Sequence, residues 1–235
     1  MKIVALLSAG LHPVSGRPCP VRVEAQAIGL GRTLGPVIGL HSGAPNAPVA
    51  DYLGYGLDRL IVLGLLPGSD PVPALVAKLK QLQPDLILAG RRGQGDSDTG
   101  LLPYRVAHAL GWPLVADAAS VEVDGGRLVV DQARPGGERR RVSLAGPAIL
   151  TSHPSAPSPP GFSAAAARRI GVEREVGLVV SATEPDIPEH PYRRRPRLIR
   201  RVSGGGKLVL DIAADQAAAE ILAYLEEVGV FDRGA

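Results

Sequence analysis

The stretch Gly90-Arg91-Arg92-Gly93-Gln94-Gly95-Asp96-Ser97-Asp98-Thr99-Gly100 holds the residue types best suited to chemistry in this chain. It follows a short apolar run, Leu86–Ala89, and precedes a helical pattern, Leu101–Leu110. Glycines at the end of a strand let backbone amides approach a phosphate. The first turn of the next helix adds unpaired N–H groups and a favourable dipole. Ser97 and Thr99 bring hydroxyl donors, while Asp96 and Asp98 either cap the helix or accept from a ribose. A plain capped loop would have the same composition, and the spacing is neither a Walker loop nor the G-x-G-x-x-G fingerprint. Reactive residues elsewhere are scattered. His41, His108, His153 and His190 belong to no H-E-x-x-H pattern, and no G-x-S-x-G occurs. Cys19, the single cysteine, excludes an internal disulfide and a Cys-rich metal site. The chain offers places to bind something and little to react with it, so neither a catalytic nor a metal site is expected.

The elements that must position this loop are legible in the apolar pattern. Ile3–Leu7, Val37–Leu40, Leu60–Leu63 and Leu86–Ala89 are continuous apolar runs of strand length. Helical patterns lie between and after them: Glu24–Leu34, Pro48–Gly56, Val72–Leu82 and Leu101–Leu110, the last closed by Gly111 and Pro113. Buried strands alternating with helices imply a doubly wound parallel sheet of Rossmann-like α/β class. Ser120–Val123, Arg127–Val130 and Arg139–Leu144 alternate instead, with Asp124-Gly125-Gly126 and Pro135-Gly136-Gly137 between them, which predicts a small antiparallel hairpin insertion. Ala148–Thr151 returns to the main sheet, Ser152–Pro160 is irregular, and Ala164–Ile170 is a short helix. From Gly171 to Arg201, Pro185, Pro188, Pro191 and Pro196 break any helix; a terminal helix follows at Ala213–Val228. The expected division is therefore a nucleotide-binding domain over 1–170 and an extended arm with a helix over 171–235.

Composition sets outer limits. Hydrophobic residues are 45% of the 235 and suffice for a core, whereas aromatics are only 3%, so Leu, Val, Ile and Ala must fill it. No run approaches the roughly 20 apolar residues of a membrane helix, and the apolar N-terminal run is short for a signal peptide. A single cysteine fits a cytoplasmic setting. The formal charge of +3 has its basic excess at Arg139-Arg140-Arg141 and between Arg193 and Arg201. Neither cluster has the aromatics or the module that nucleic-acid binding would need.

Taken in order, several segments resemble the beta subunit of electron transfer flavoproteins over nearly the whole chain. Leu53-Gly54-Tyr55-Gly56-Leu57-Asp58-Arg59 is similar to that family's L-A-M-G-A-D-R, and Pro84-Asp85-Leu86-Ile87-Leu88-Ala89-Gly90 to its P-D-L-I-L-x-G. Leu110-Gly111-Trp112-Pro113 matches L-G-W-P; Val142 and Pro147-Ala148-Ile149-Leu150-Thr151 fit the end of its signature. The resemblance implies that the loop at Gly90, Arg91, Asp96, Ser97, Asp98, Thr99 and Gly100 holds AMP, or a second FAD as in electron-bifurcating relatives. It adds Ser42 and Gly43 after the second strand and Leu6, Leu7 and Ser8 at the end of the first. It also implies a heterodimer with an alpha subunit that carries the redox FAD. Electrons would come from a dehydrogenase and leave to a quinone reductase or similar acceptor, the chain being an electron carrier subunit rather than an enzyme. Two segments depart from the pattern. Cys19-Pro20-Val21-Arg22 stands where the family has N-P-x-D/E, and Ser152–Pro160 where it has the N-E-P-R-Y docking loop. The usual acyl-CoA dehydrogenase partner is therefore not carried over. The competing reading is a stand-alone adenine-nucleotide-binding protein of stress-sensor type, against which the long tail speaks.

Overall fold

A computed structural model describes residues 1–12, 14–92, 100–178 and 209–229. The chain begins with β1 (Ile3–Leu7), every residue of which is buried. Then come α1 (Arg22–Arg32), β2 (Val37–Gly43), a 3-10 turn (Ala50–Tyr55), β3 (Arg59–Gly64), α2 (Pro71–Leu82), β4 (Leu86–Gly90) and α3 (Leu102–Leu110). The meander follows as β5 (Leu114–Asp124), β6 (Arg127–Ala133) and β7 (Arg139–Leu144), and β8 (Ala148–Ser152), α4 (Ala164–Arg169) and β9 (Val172–Val176) complete this unit. α5 (Ala214–Glu227) belongs to a second unit and exposes Ile221 and Tyr224.

The nine strands form one sheet in the order β7-β6-β5-β8-β4-β1-β2-β3-β9. All pairings are parallel except β5 with β6 and β6 with β7. α1 and the 3-10 turn cover one face, packing on Ile3, Ala5, Leu7, Val37 and Leu88. α2 and α3 cover the other through Val72, Leu75, Leu79 and Val106 against Val4, Leu6, Leu40 and Ile87. This is the expected doubly wound α/β architecture. Its strand order turns back between β1 and β4, and the crevice beyond their carboxyl ends is where such sheets receive ligands.

Local chemistry explains most boundaries. Asp70 accepts the Val72 N–H at 3.1 Å and Pro71 opens α2; Gln83, in the left-handed region, closes it. Gly111 at φ 68° closes α3. The glycines inside α1 do not break it because they are packing surfaces. An added Cβ on Gly31 would stand 2.8 Å from Leu88 and Val37 methyls, and one on Gly29 would stand 3.2 Å from the Pro160 ring.

Three elements differ from expectation. The helix expected at Pro48–Gly56 is a six-residue 3-10 segment, about two turns, ended by Gly56 at φ 90°. The meander is continuous with the main sheet, because β5 starts at Leu114, runs parallel to β8, and only then pairs with β6. Residues Val172–Val176, read as the start of the arm, are an edge strand; Glu173 pairs with Arg59 at 2.6 Å and Glu175 with Lys78 at 2.6 Å. Val176, the last residue of β9, is 93% exposed, and Leu178 just beyond the strand is exposed too. Val179, Val180 and the Arg193–Arg201 cluster lie outside the described residues.

Gly39 tests how tightly the α1 face is packed. A Cβ there would lie 2.6–2.9 Å from methyl groups of Leu57, Leu7 and Leu60. Gly39→Ala is expected to lower unfolding free energy by about 1–3 kcal/mol through overpacking, measured by urea denaturation. Unchanged stability would show that the three leucines rearrange freely.

Candidate functional site

A cavity of about 560 Å³ opens beyond the carboxyl ends of β4 and β8, lined by Arg91, Arg92, Gly100, Leu101, Tyr104, Asp117 and Thr151. The chain leaving β4 delivers Arg91 and Arg92, the start of α3 delivers Leu101 and Tyr104, and Thr151 is the last residue but one of β8. Asp117 arrives by a bulge: the β5–β8 register shifts between Val115 and Ala118, and Asp117 takes a left-handed conformation at φ 58°. Its N–H donates to Thr151 Oγ1 at 3.0 Å, which fixes the bulge. Its carboxylate lies 3.3 Å from Arg91 Nε, and the same oxygen, Oδ1, is buried without a hydrogen bond. Gly100 sits at φ 71°, where an added Cβ would approach the Arg91 carbonyl to 3.4 Å. The cavity therefore combines two guanidinium groups, a helix start, an aromatic ring and a carboxylate paired with Arg91. That set suits an anionic ligand that carries a ring.

The residues expected from sequence fall into separate places. Arg91 and Gly100 line the cavity. Asp96, Ser97, Asp98 and Thr99 lie outside the described residues. Leu6 and Leu7 are core residues on opposite faces of β1. Ser42 Oγ is buried without a partner, and Gly43 covers the His41 ring so closely that a Cβ would lie 2.9 Å from Nε2. His41 Nδ1 contacts the Leu7 carbonyl at 2.9 Å, which places the proton on that nitrogen, and burial pushes the imidazole pKa down. Sequence reasoning missed Leu101, Tyr104, Asp117 and Thr151 as lining residues, and held Arg92 only as part of the loop without singling it out. Thr151 carried a signal, since it ends an apolar strand on the ligand side of the sheet. Asp117 carried none, because a bulge leaves no periodic trace.

Gly90 and Ser8 meet at a different group, Glu24. This residue lies in the first turn of α1 and is buried. Its carboxylate accepts the Ser8 N–H at 2.8 Å, the Ser8 hydroxyl at 2.6 Å and the Tyr52 hydroxyl at 2.5 Å. Tyr52 in turn accepts the Val21 N–H at 2.8 Å. A Cβ on Gly90 would stand 2.7 Å from Glu24 Cγ, so only glycine fits at the end of β4. A carboxylate at the start of α1, between β1 and β4, takes the place that an anionic ligand occupies in many doubly wound sheets. Among the described residues, no group of three His, Cys, Asp or Glu could hold a metal ion, and no helix is long and apolar enough to cross a membrane.

Burial pushes the Glu24 pKa up to about 7 despite the opposing hydrogen bonds from Ser8 and Tyr52. Because the folded value exceeds the unfolded one of 4.5, the unfolded chain loses its proton first as pH rises. The associated stability is complete below about pH 4.5, declines up to about pH 7 and stays lost above it. The shift corresponds to roughly 3 kcal/mol. Urea unfolding across this window should show that decline in the wild type, and a shallower one in Glu24→Gln. Parallel profiles would show that Glu24 titrates normally.

The comparisons with known proteins agree with this architecture. Residues 20–175 match the family model described as electron transfer flavoprotein domain. A protein of Chromohalobacter salexigens named electron transfer flavoprotein subunit beta is 33% identical over 252 aligned positions, covering 97% of this chain and 94% of its own length. One of the same name from Syntrophomonas wolfei is 34% identical over 122 positions, 48% of this chain and 47% of its own. With a domain match across most of the sheet and a relative aligned almost end to end, the chain belongs to the electron transfer flavoprotein family, among its beta subunits.

Proposed function

We propose that this chain is the nucleotide-binding, non-catalytic half of a heterodimer that carries electrons from a dehydrogenase to a quinone reductase or similar acceptor in the cytoplasm. The redox FAD is held mainly by an alpha subunit, and AMP or a second FAD fills the site on this chain. The observation that carries the reading is the cavity beside Arg91, Arg92 and the start of α3. Its volume of about 560 Å³ falls within the range of small-molecule sites.

The residues fit a nucleotide. Arg91, Arg92 and the backbone at Gly100 would hold phosphate, the exposed face of Tyr104 would meet a ring, and Asp117 would hold the Arg91 guanidinium in place through its buried Oδ1. Asp96, Ser97, Asp98 and Thr99 complete the loop in the same reading. A bound AMP would serve as a structural ligand, and a FAD there would supply redox chemistry. This chain's residues bind and orient in both cases. Val176 and Leu178 are exposed on the first unit, and Ile221 and Tyr224 are exposed on the second; each pair is proposed to meet a partner chain, which supports a heterodimer over a stand-alone nucleotide sensor.

Co-production with an electron transfer flavoprotein alpha subunit tests this directly. The two chains should copurify, and denaturation should release either one FAD with one AMP or two FAD per pair. Gly100→Val forces a branched side chain into a left-handed conformation at the cavity wall. Its complex should release the alpha-bound FAD but at least tenfold less of the second nucleotide, a loss of about 1.4 kcal/mol or more in binding. No association with the alpha subunit, or full nucleotide content in Gly100→Val, would contradict the proposal.

A further inference from the structure

Glu24 is one residue removed from the wall of the cavity. Gly90 is the meeting point: on one side it packs against Glu24 Cγ and Val23, and on the other the chain continues into Arg91 and Arg92. The groups that face the carboxylate are the Ser8 N–H and hydroxyl from β1, the Tyr52 hydroxyl from the 3-10 turn and Gly90 from β4. The Cys19 thiol stands near Tyr52. The His41 imidazole on β2 is engaged with the Leu7 carbonyl.

We propose that binding of a nucleotide phosphate in the cavity is coupled to uptake of a proton by Glu24, so that the site loads best when this carboxyl is neutral. The proposal rests on the nucleotide reading above and adds its regulation.

The coupling is electrostatic. A phosphate placed beside Arg91 and Arg92 brings negative charge toward a buried carboxylate that Gly90 alone separates from them in the chain's packing, and like charges in a protein interior favour protonation of the weaker acid. The cluster can take the proton without losing its fold. The proton arrives from solvent and rests on Oε1; the Ser8 hydroxyl then turns from donor to acceptor, while Oε2 keeps the Ser8 N–H and the Tyr52 hydroxyl. Linkage makes the effect reciprocal: whatever raises proton affinity on binding makes binding tighten as pH falls. Burial has already brought this carboxyl to about 7, so the coupling acts around neutral pH.

The test is titration calorimetry of the full chain, freed of nucleotide, with AMP as the probe between about pH 6 and about pH 8, each pH in two buffers of different protonation enthalpy. Relative to Glu24→Gln, the wild-type dissociation constant is expected to rise roughly three- to tenfold across this range, the equivalent of a linked shift of about half to one pKa unit. The buffer comparison should show net proton uptake near neutrality in the wild type beyond that of the variant. The titration of AMP itself is common to both proteins and cancels. Tyr52→Phe removes a donor that favours the ionised carboxyl and should move the wild-type profile to higher pH, which keeps the test available if Glu24→Gln folds poorly. Identical profiles in wild type and Glu24→Gln, with AMP bound by both, would overturn the coupling and leave the nucleotide reading standing. Absence of AMP binding in the wild type would overturn both.

Discussion

Glu24 receives two hydrogen bonds from Ser8 and one from Tyr52 at the point where β1 leaves the sheet. The carboxylate lies in the first turn of α1, which has no side-chain cap of its own, so it also meets the positive end of that helix. These interactions do not fully offset its removal from water, and the group remains a weak acid near neutrality. The arrangement fixes three elements at once: the end of β1, the start of α1 and the 3-10 turn that carries Tyr52. It also fills the crevice between β1 and β4, where the strand order reverses. An anion seeking a helix start on this edge of the sheet is left with the next one along, α3, and the cavity stands there.

α1 organises a second region through the same face. The Gln26 amide, buried in the helix, donates to the carbonyls of Ala156 at 2.9 Å and Pro154 at 3.2 Å. Ser152 donates its hydroxyl to the Val23 carbonyl, Pro160 rests on Gly29, and Phe162 meets the Tyr55 ring edge-on over Gly54. A stretch rich in serine and proline thereby acquires a fixed path without regular structure. Its order comes from α1, so the Glu24 cluster and this loop share one support. The basic strand β7 joins the same neighbourhood where Arg139 contacts Ser155, while Arg141 pairs with Glu122.

Sequence reading reached the architecture because the main-sheet strands are buried on both faces and therefore apolar without interruption, as in Ile3–Leu7 and Leu86–Gly90. It missed β9 because Val172–Val176 reads as alternating charge on an edge, where Glu173 and Glu175 find their partners in Arg59 and Lys78 only after folding. It read an α-helix at Pro48–Gly56, since a short 3-10 segment and a short α-helix have the same apolar content. At the candidate site, glycine content drew attention to the segment after β4, of which Arg91, Arg92 and Gly100 are among the described residues and line the cavity, and family resemblance named Ser8. Nothing in the local pattern showed that Ser8 and Gly90 converge on Glu24, because those contacts span 16 residues in one case and the breadth of the sheet in the other. Asp117 was equally hidden, its placement depending on a bulge held by Thr151.

The central claim is that Glu24 closes the β1–β4 crevice and leaves the proposed nucleotide to the cavity beside α3. Amide hydrogen exchange of the full chain with and without AMP tests this most directly. The account predicts that AMP slows exchange at Arg91, Arg92 and the amides from Gly100 to Tyr104, while Ser8 and the first turn of α1 from Val23 to Gln26 are unchanged. Protection centred on Ser8 and Val23–Gln26, with none at the start of α3, would place the ligand in the crevice that Glu24 is held to fill and would contradict the account.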